Sequence, residues 1–67
     1  MQCKPLVSVY MPTHNRSELL VTAIESVLEQ TYRPLEIIIV DDASTDNTPM
    51  VINRYLESYD FIQAIRL

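Results

Sequence analysis

The spacing of apolar residues changes period four times along the chain, and the changes mark five elements. Residues 6–11 read Leu-Val-Ser-Val-Tyr-Met, β-branched and aromatic types suited to a pleated surface, and predict a first strand. Pro12, which has no N–H to give to a ladder, is expected to end it. After the polar segment Thr13-His14-Asn15-Arg16 the period becomes helical. Leu20, Ile24, Val27 and Leu28 share one face, Glu18, Glu25 and Glu29 lie largely off it, and Ser17 is placed to cap a helix running to Gln30. Pro34 then punctuates a connection. Leu35-Glu36-Ile37-Ile38-Ile39-Val40 is a nearly continuous apolar run, the pattern of a parallel strand covered on both faces, and it ends at Asp41-Asp42. Residues 43–48 carry turn and cap chemistry, and Pro49 suits a first helical position with Thr48 as N-cap and Thr45 as the competing cap. Val51, Ile52, Tyr55, Leu56 and Tyr59 form the buried stripe of a second helix that ends near Asp60, and residues 61–67 have the β-rich composition of a third strand. Tyr10, Tyr32, Tyr55 and Tyr59 are read as packing residues with wet hydroxyls.

The order β-α-β-α-β, with helices as crossovers, implies parallel strands and right-handed connections: a three-layer, Rossmann-like α/β arrangement, of which this is one mononucleotide-binding half. Nothing resembling a repeat or a linker interrupts it. Ligands in such sheets bind beyond the carboxyl ends of the strands. Two polar clusters reach that edge, residues 12–16 after the first strand and residues 41–46 after the second. Adjacent strands would bring them side by side, so topology alone predicts a cleft lined by His14, Arg16, Asp41 and Asp42. Asp41 and Asp42 are consecutive on an extended segment and point to opposite sides, which makes them a poor acid/base dyad. One ionised carboxylate facing the cleft accepts hydrogen bonds only, and suits a ligand with donors, such as the N3–H of uracil or ribose hydroxyls. His14 offers a flat ring to a base, and Arg16 a cation to the base rim or a phosphate.

Composition narrows how a nucleotide could be held. The 67 residues include no glycine, which removes both the P-loop and the G-x-G-x-x-G dinucleotide turn, since each needs glycine for close backbone approach or positive φ. Five Lys and Arg against nine Asp and Glu leave a net charge of −4, against a nucleic-acid partner. Cys3, the single cysteine, can form neither an internal disulfide nor a metal cluster and reads as an incidental terminal residue. The apolar stretch near the start, broken by Ser8 and Pro12, is too short for a membrane span and lacks a signal-peptide cleavage pattern, so a soluble, cytoplasmic chain is expected.

These residues resemble the inverting family 2 glycosyltransferases of the GT-A fold, which move a sugar from a nucleotide donor to an acceptor hydroxyl. Three blocks carry the resemblance in order: Val7-Ser8-Val9-Tyr10-Met11-Pro12-Thr13-His14-Asn15-Arg16, Ala23-Ile24-Glu25-Ser26-Val27-Leu28-Glu29-Gln30-Thr31-Tyr32, and Glu36-Ile37-Ile38-Ile39-Val40-Asp41-Asp42-Ala43-Ser44-Thr45-Asp46-Asn47-Thr48. The resemblance implies that Pro12, Thr13, His14 and Arg16 lie on the loop touching base and ribose. His14 stands where the family usually has an aromatic ring. It implies that Asp42 reads the uracil ring of a UDP-sugar, with Asp41 more concerned with holding the loop. Ala43 falls where many members carry glycine, a departure expected to leave the site undisturbed. The family's Asp-x-Asp motif for Mn²⁺ or Mg²⁺ and its carboxylate general base match nothing in the chain, and Asp41-Asp42 has the wrong spacing and place to be that motif. The chain therefore reads as an N-terminal, single but incomplete piece of a glycosyltransferase domain, one that supplies nucleoside recognition and is inactive alone.

Each of these residues also has an ordinary structural role open to it. Asp42 can cap the following turn, His14 can face water, Arg16 can pair with Glu18, Thr13 and Asn15 can stabilise the turn after Pro12, and Ser44, Thr45, Asp46 and Thr48 can all serve as caps. Two other functions compete. A phosphoacceptor receiver also has a strand ending in Asp-Asp, but after its first strand, whereas here the pair follows the second. A non-catalytic binding or assembly module is the other. In the family's sheet the first strand is interior; bare, its edge is a template for another copy, so a homo-oligomer is expected.

Overall fold

The computed structural model describes residues 5–67; the reading of Cys3 lies outside the described residues. The elements are β1 (Val7–Thr13), α1 (Ser17–Leu28), β2 (Leu35–Asp41), α2 (Thr48–Ser58) and β3 (Ile62–Arg66), in the expected β-α-β-α-β order. The three strands are parallel, in the order β1-β2-β3.

Five boundaries differ from expectation. β1 does not stop at Pro12 but continues to Thr13. The Val7 N–H donates to the Pro34 carbonyl at 3.2 Å, and the Thr13 carbonyl accepts from the Asp42 N–H at 2.9 Å, so the odd residues of β1 turn their backbone groups toward β2. Pro12, an even residue, therefore has its ring nitrogen on the free edge, where no N–H is wanted. Ser17 lies inside the first turn of α1 and Arg16 holds the cap position, without a side-chain cap bond; the helix closes at Leu28, short of Gln30. Thr48 is likewise the first residue of α2 and not its cap. Asn47 holds the cap position without a side-chain cap bond, and Asp46, one residue earlier, leads into the helix by an Asx turn, its Oδ1 accepting the Thr48 N–H at 2.9 Å. α2 ends at Ser58 because Tyr59 is extended, with φ −134°.

Burial along β2 strictly alternates. Leu35, Ile37, Ile39 and Asp41 are buried, while Glu36, Ile38 and Val40 are half-buried. Ile37 and Ile39 join Met11 of β1, Leu20 and Ile24 of α1, Ile52 of α2 and Ile62 of β3 in one core. Both helices thus cover the same face of the sheet, so the cover expected on both faces of the second strand is corrected: among the described residues only one face of β2 is covered, and the arrangement has two layers. The opposite face presents Tyr10, 65% exposed, and Ile65, 52% exposed, with Ile38 and Val40 between them in register. Tyr10 is not a packing residue within the described chain. Tyr55 and Tyr32 do not keep free hydroxyls either: Tyr55 donates to Glu25 Oε2 at 2.6 Å, tying α2 to α1, and Tyr32 donates to the Pro5 carbonyl at 2.5 Å. Burial, then the Glu25 carboxylate beside it, pushes the Tyr55 phenol up to about 12. Among the described residues, no helix is long and apolar enough to cross a membrane.

Candidate functional site at the carboxyl edge

Because β1 and β2 pair in register from Val7↔Leu35 to Thr13↔Asp41, both polar clusters leave the sheet together. Asp41, last in β2, falls on the buried face and is only 2% exposed. Its Oδ1 accepts the Ser44 N–H at 3.2 Å and the Ser44 hydroxyl at 2.5 Å, so the carboxylate shapes the turn that follows. Ser44 is itself buried, and is no helix cap. Inside this turn Ala43 adopts φ +52°, a left-handed conformation that costs an L-residue with a Cβ about 1–2 kcal/mol. Ala43→Gly removes that cost against a smaller entropic loss in the unfolded chain, and is expected to raise stability by about 0.5–1 kcal/mol in urea unfolding. An unchanged or lowered midpoint would mean that Ala43 carries no strain.

The first loop is fastened to the second. Asn15, also left-handed at φ +48°, donates its N–H to Ser44 Oγ at 2.9 Å, and its Oδ1 accepts the N–H groups of Thr45 at 2.7 Å and Asp46 at 3.2 Å. His14 donates Nδ1–H to the Asp42 carbonyl at 2.5 Å, which fixes its tautomer and leaves Nε2 as an acceptor, 3.5 Å from Asn15 Nδ2. Sequence reasoning gave Asn15 only the turn after Pro12; its partners lie 29 to 31 residues away. Arg66 was missed altogether. As the register partner of Asp41 it reaches back to donate Nη2 to the Ser44 carbonyl at 3.2 Å, and only the pairing of β3 with β2 could have pointed to it.

These contacts open a shallow cleft of about 260 Å³ lined by Pro12, Thr13, His14, Arg16 and Asp42. Five of the six expected site residues are therefore brought together, and all but Thr13 are exposed. Asp41 stands apart, facing a separate small cavity beside Ile52, Asn53 and Arg66. The cleft holds one exposed carboxylate, one imidazole with its Nδ1–H already used, and one guanidinium; it can accept from, stack on and neutralise a ligand. A larger groove of about 410 Å³, lined by Val21, Val51, Arg54, Tyr55, Ser58 and Tyr59, runs along the helices away from this edge and contains none of the expected site residues. Asp46 is committed to the start of α2, where the Thr48 side chain and then its N–H hold the Asp46 carboxyl below the usual carboxylate range. Its contribution to stability is present above a pH of about 4 and lost as pH falls through the lowered value. Among the described residues, no three His, Cys, Asp or Glu side chains come together to hold a metal ion, and Asp41, Asp42 and Asp46 each face a different way.

Comparison with known proteins agrees with this architecture. Among solved structures, a mannosyltransferase from Pyrobaculum calidifontis, in complex with GDP-Man and Mn²⁺, superposes with a TM-score of 0.74 and 33% identity over 91% of this chain and 18% of that one. Chondroitin synthase of Escherichia coli is 39% identical over 61 residues, 91% of this chain and 9% of the synthase. An Escherichia coli UDP-Glc:α-D-GlcNAc-diphosphoundecaprenol β-1,3-glucosyltransferase is 43% identical over 53 residues, 79% of this chain and 21% of that enzyme. The chain thus spans under a quarter of each of these proteins. The profile of the glycosyl transferase family 2 matches residues 8–67, and with the parallel GT-A half-sheet and its paired loops already in place, the chain belongs to that family.

Proposed function

We propose that this chain is the nucleoside-contacting, N-terminal part of a single glycosyltransferase domain whose whole protein transfers a sugar from a nucleotide-diphosphate donor, a UDP-sugar, to an acceptor hydroxyl with inversion. The observation that carries the reading is the convergence of Asp42, His14 and Arg16 on one open cleft at the carboxyl edge of the sheet. In it the Asp42 carboxylate accepts from a base N–H, the His14 ring lies along the base, Arg16 balances negative charge, and Pro12 and Thr13 form the floor. Asp41 acts one step back, through Ser44. The UDP-Glc in the name of one relative favours uracil, whereas the structural neighbour holds GDP-Man, so donor identity is decided by measurement. The Mn²⁺ in that neighbour supports a divalent cation, Mn²⁺ or Mg²⁺, in the whole protein, held by residues other than Asp41, Asp42 and Asp46. A cytoplasmic place belongs to the same proposal, supported by the single cysteine.

Titration of the chain with UDP and with GDP, followed by amide chemical shifts, tests the reading. UDP is expected to move the amides of residues 13–16 and 42 at millimolar concentration. Shifts that stay still with both nucleotides would rule out a nucleoside site in this chain.

The free edge of β1 supports a second part of the reading, a homo-oligomer. The backbone groups of Ser8 and Tyr10 face outward beside exposed Leu6, Val7 and Leu19, an apolar edge able to pair with a second copy. Sedimentation equilibrium is expected to give a dimer that weakens when Tyr10 is replaced by lysine; a folded monomer at high concentration would end the idea.

A further inference from the structure

We propose that Asn15 is a positioning residue of the nucleoside cleft, a latch that locks the loop after β1 onto the loop after β2 and so sets the distance and orientation of His14 and Arg16 relative to Asp42. The inference rests on the reading of this cleft as a nucleoside site. Asn15 lies between two cleft residues, His14 and Arg16, and is exposed and outside the hydrophobic core. All three of its hydrogen bonds into the opposite loop, from N–H to Ser44 Oγ and from Thr45 and Asp46 N–H to Oδ1, cross the gap that the cleft straddles. Its left-handed backbone, φ +48°, is one that asparagine tolerates better than other residues bearing a Cβ, and it is what turns both the N–H and the side chain toward the second loop.

Ser44 completes the latch. Its hydroxyl donates to Asp41 and accepts from Asn15, so the buried carboxylate at the end of β2 is connected, through one oxygen, to the loop carrying His14. The register of β2 thereby fixes the position of a ring on the neighbouring strand's loop. Without the Asn15 side chain the two loops keep the backbone bond from Asp42 to Thr13, the bond from the residue 15 N–H to Ser44 Oγ and the His14 contact to the Asp42 carbonyl. The His14 contact is at the surface, and water competes for it. The Asn15 latch keeps it closed, and with it the Nδ1–H tautomer in which Nε2 accepts from Asn15 Nδ2.

The variants Asn15→Ala and Asn15→Asp separate positioning from mere folding, because aspartate keeps the Oδ1 acceptor. Three readouts are followed: the imidazole ¹⁵N shifts of His14, hydrogen exchange at Thr45 and Asp46, and the Kd for UDP. Asn15→Ala is expected to convert His14 from the Nδ1–H pattern to a mixture of tautomers and to speed exchange at Thr45 and Asp46. Protection at Ile37 and Ile39 stays in place, and UDP binding weakens about fivefold. Asn15→Asp should restore most of the protection at Thr45 and Asp46 and most of the affinity. If Asn15→Ala leaves the His14 signature and loop exchange unchanged, or loosens the loops without altering the Kd, the latch is refuted. A wild-type chain that binds neither UDP nor GDP would refute the nucleoside reading, and the two ligand-free readouts would still decide whether Asn15 holds the loops.

Discussion

Replacing Asp42 by alanine is expected to weaken UDP binding by about ten- to thirtyfold while leaving the fold intact. A hydrogen bond accepted by an ionised carboxylate is worth more than a neutral one, and losing it leaves a base N–H facing water in a half-closed complex. The openness of the cleft keeps the loss toward the lower end of the range for such contacts. The fold should be unaffected because the hydrogen bonds at Asp42 run through its backbone: its N–H to the Thr13 carbonyl, and its carbonyl from His14. Asp42→Asn retains an acceptor of the same shape without the charge, and should lose only a few-fold. Asp41→Asn provides the contrast. Its oxygen still receives Ser44, so binding changes little, whereas Asp41→Ala loosens the turn and lowers stability and affinity together. Calorimetric Kd values with thermal midpoints for the four variants check this ordering. An Asp42→Ala chain that binds UDP like the wild type would show that the carboxylate does not touch the nucleoside.

That ordering was partly visible in the residues themselves. Consecutive aspartates at a strand end must face opposite ways, and the structure buries Asp41 and exposes Asp42. The five elements were legible because their apolar periods differ sharply; their ends were not, because ends are set by single contacts. Pro12 reads as a terminator until β1 is seen to be the outer strand with Pro12 turned to its free side. Ser17 and Thr48 read as caps until Arg16 and Asn47 are found at those positions and Asp46 is seen to accept the Thr48 N–H from the turn before α2. Asn15, Ser44 and Arg66 could not have been connected at all, since the contacts that join them span 22 to 29 residues and depend on strand register. Ala43 is the converse case. With no glycine in the chain, nothing along the sequence flags a left-handed position, and only the resemblance to the family, where glycine is frequent there, touched on it.

Ile39→Ala is expected to unfold the chain, and Ile38→Ala, one residue away, is not. Ile39 is completely buried at the centre of the middle strand, with Met11 and Ala64 as its neighbours across the sheet. Truncating such a residue costs about 2–5 kcal/mol from lost transfer energy and the cavity left behind. A single core in a chain of this size rarely supplies more than about 3–5 kcal/mol in total. Far-UV circular dichroism of Ile39→Ala should therefore show loss of most structure at 37 °C, with partial recovery on cooling. Ile38 points to the face that neither helix covers and is half-buried, so its truncation removes less area and leaves no closed cavity; a cost of about 1 kcal/mol or less in urea unfolding follows. Equal losses at the two positions would mean that both faces of β2 are covered, contrary to the arrangement of α1 and α2. The same pair of variants also reports on partners. If a second copy, or more of the protein, packs on the face carrying Tyr10, Ile38, Val40 and Ile65, the cost of Ile38→Ala rises toward that of Ile39→Ala when that partner is present, because the exposed methyl groups then become core.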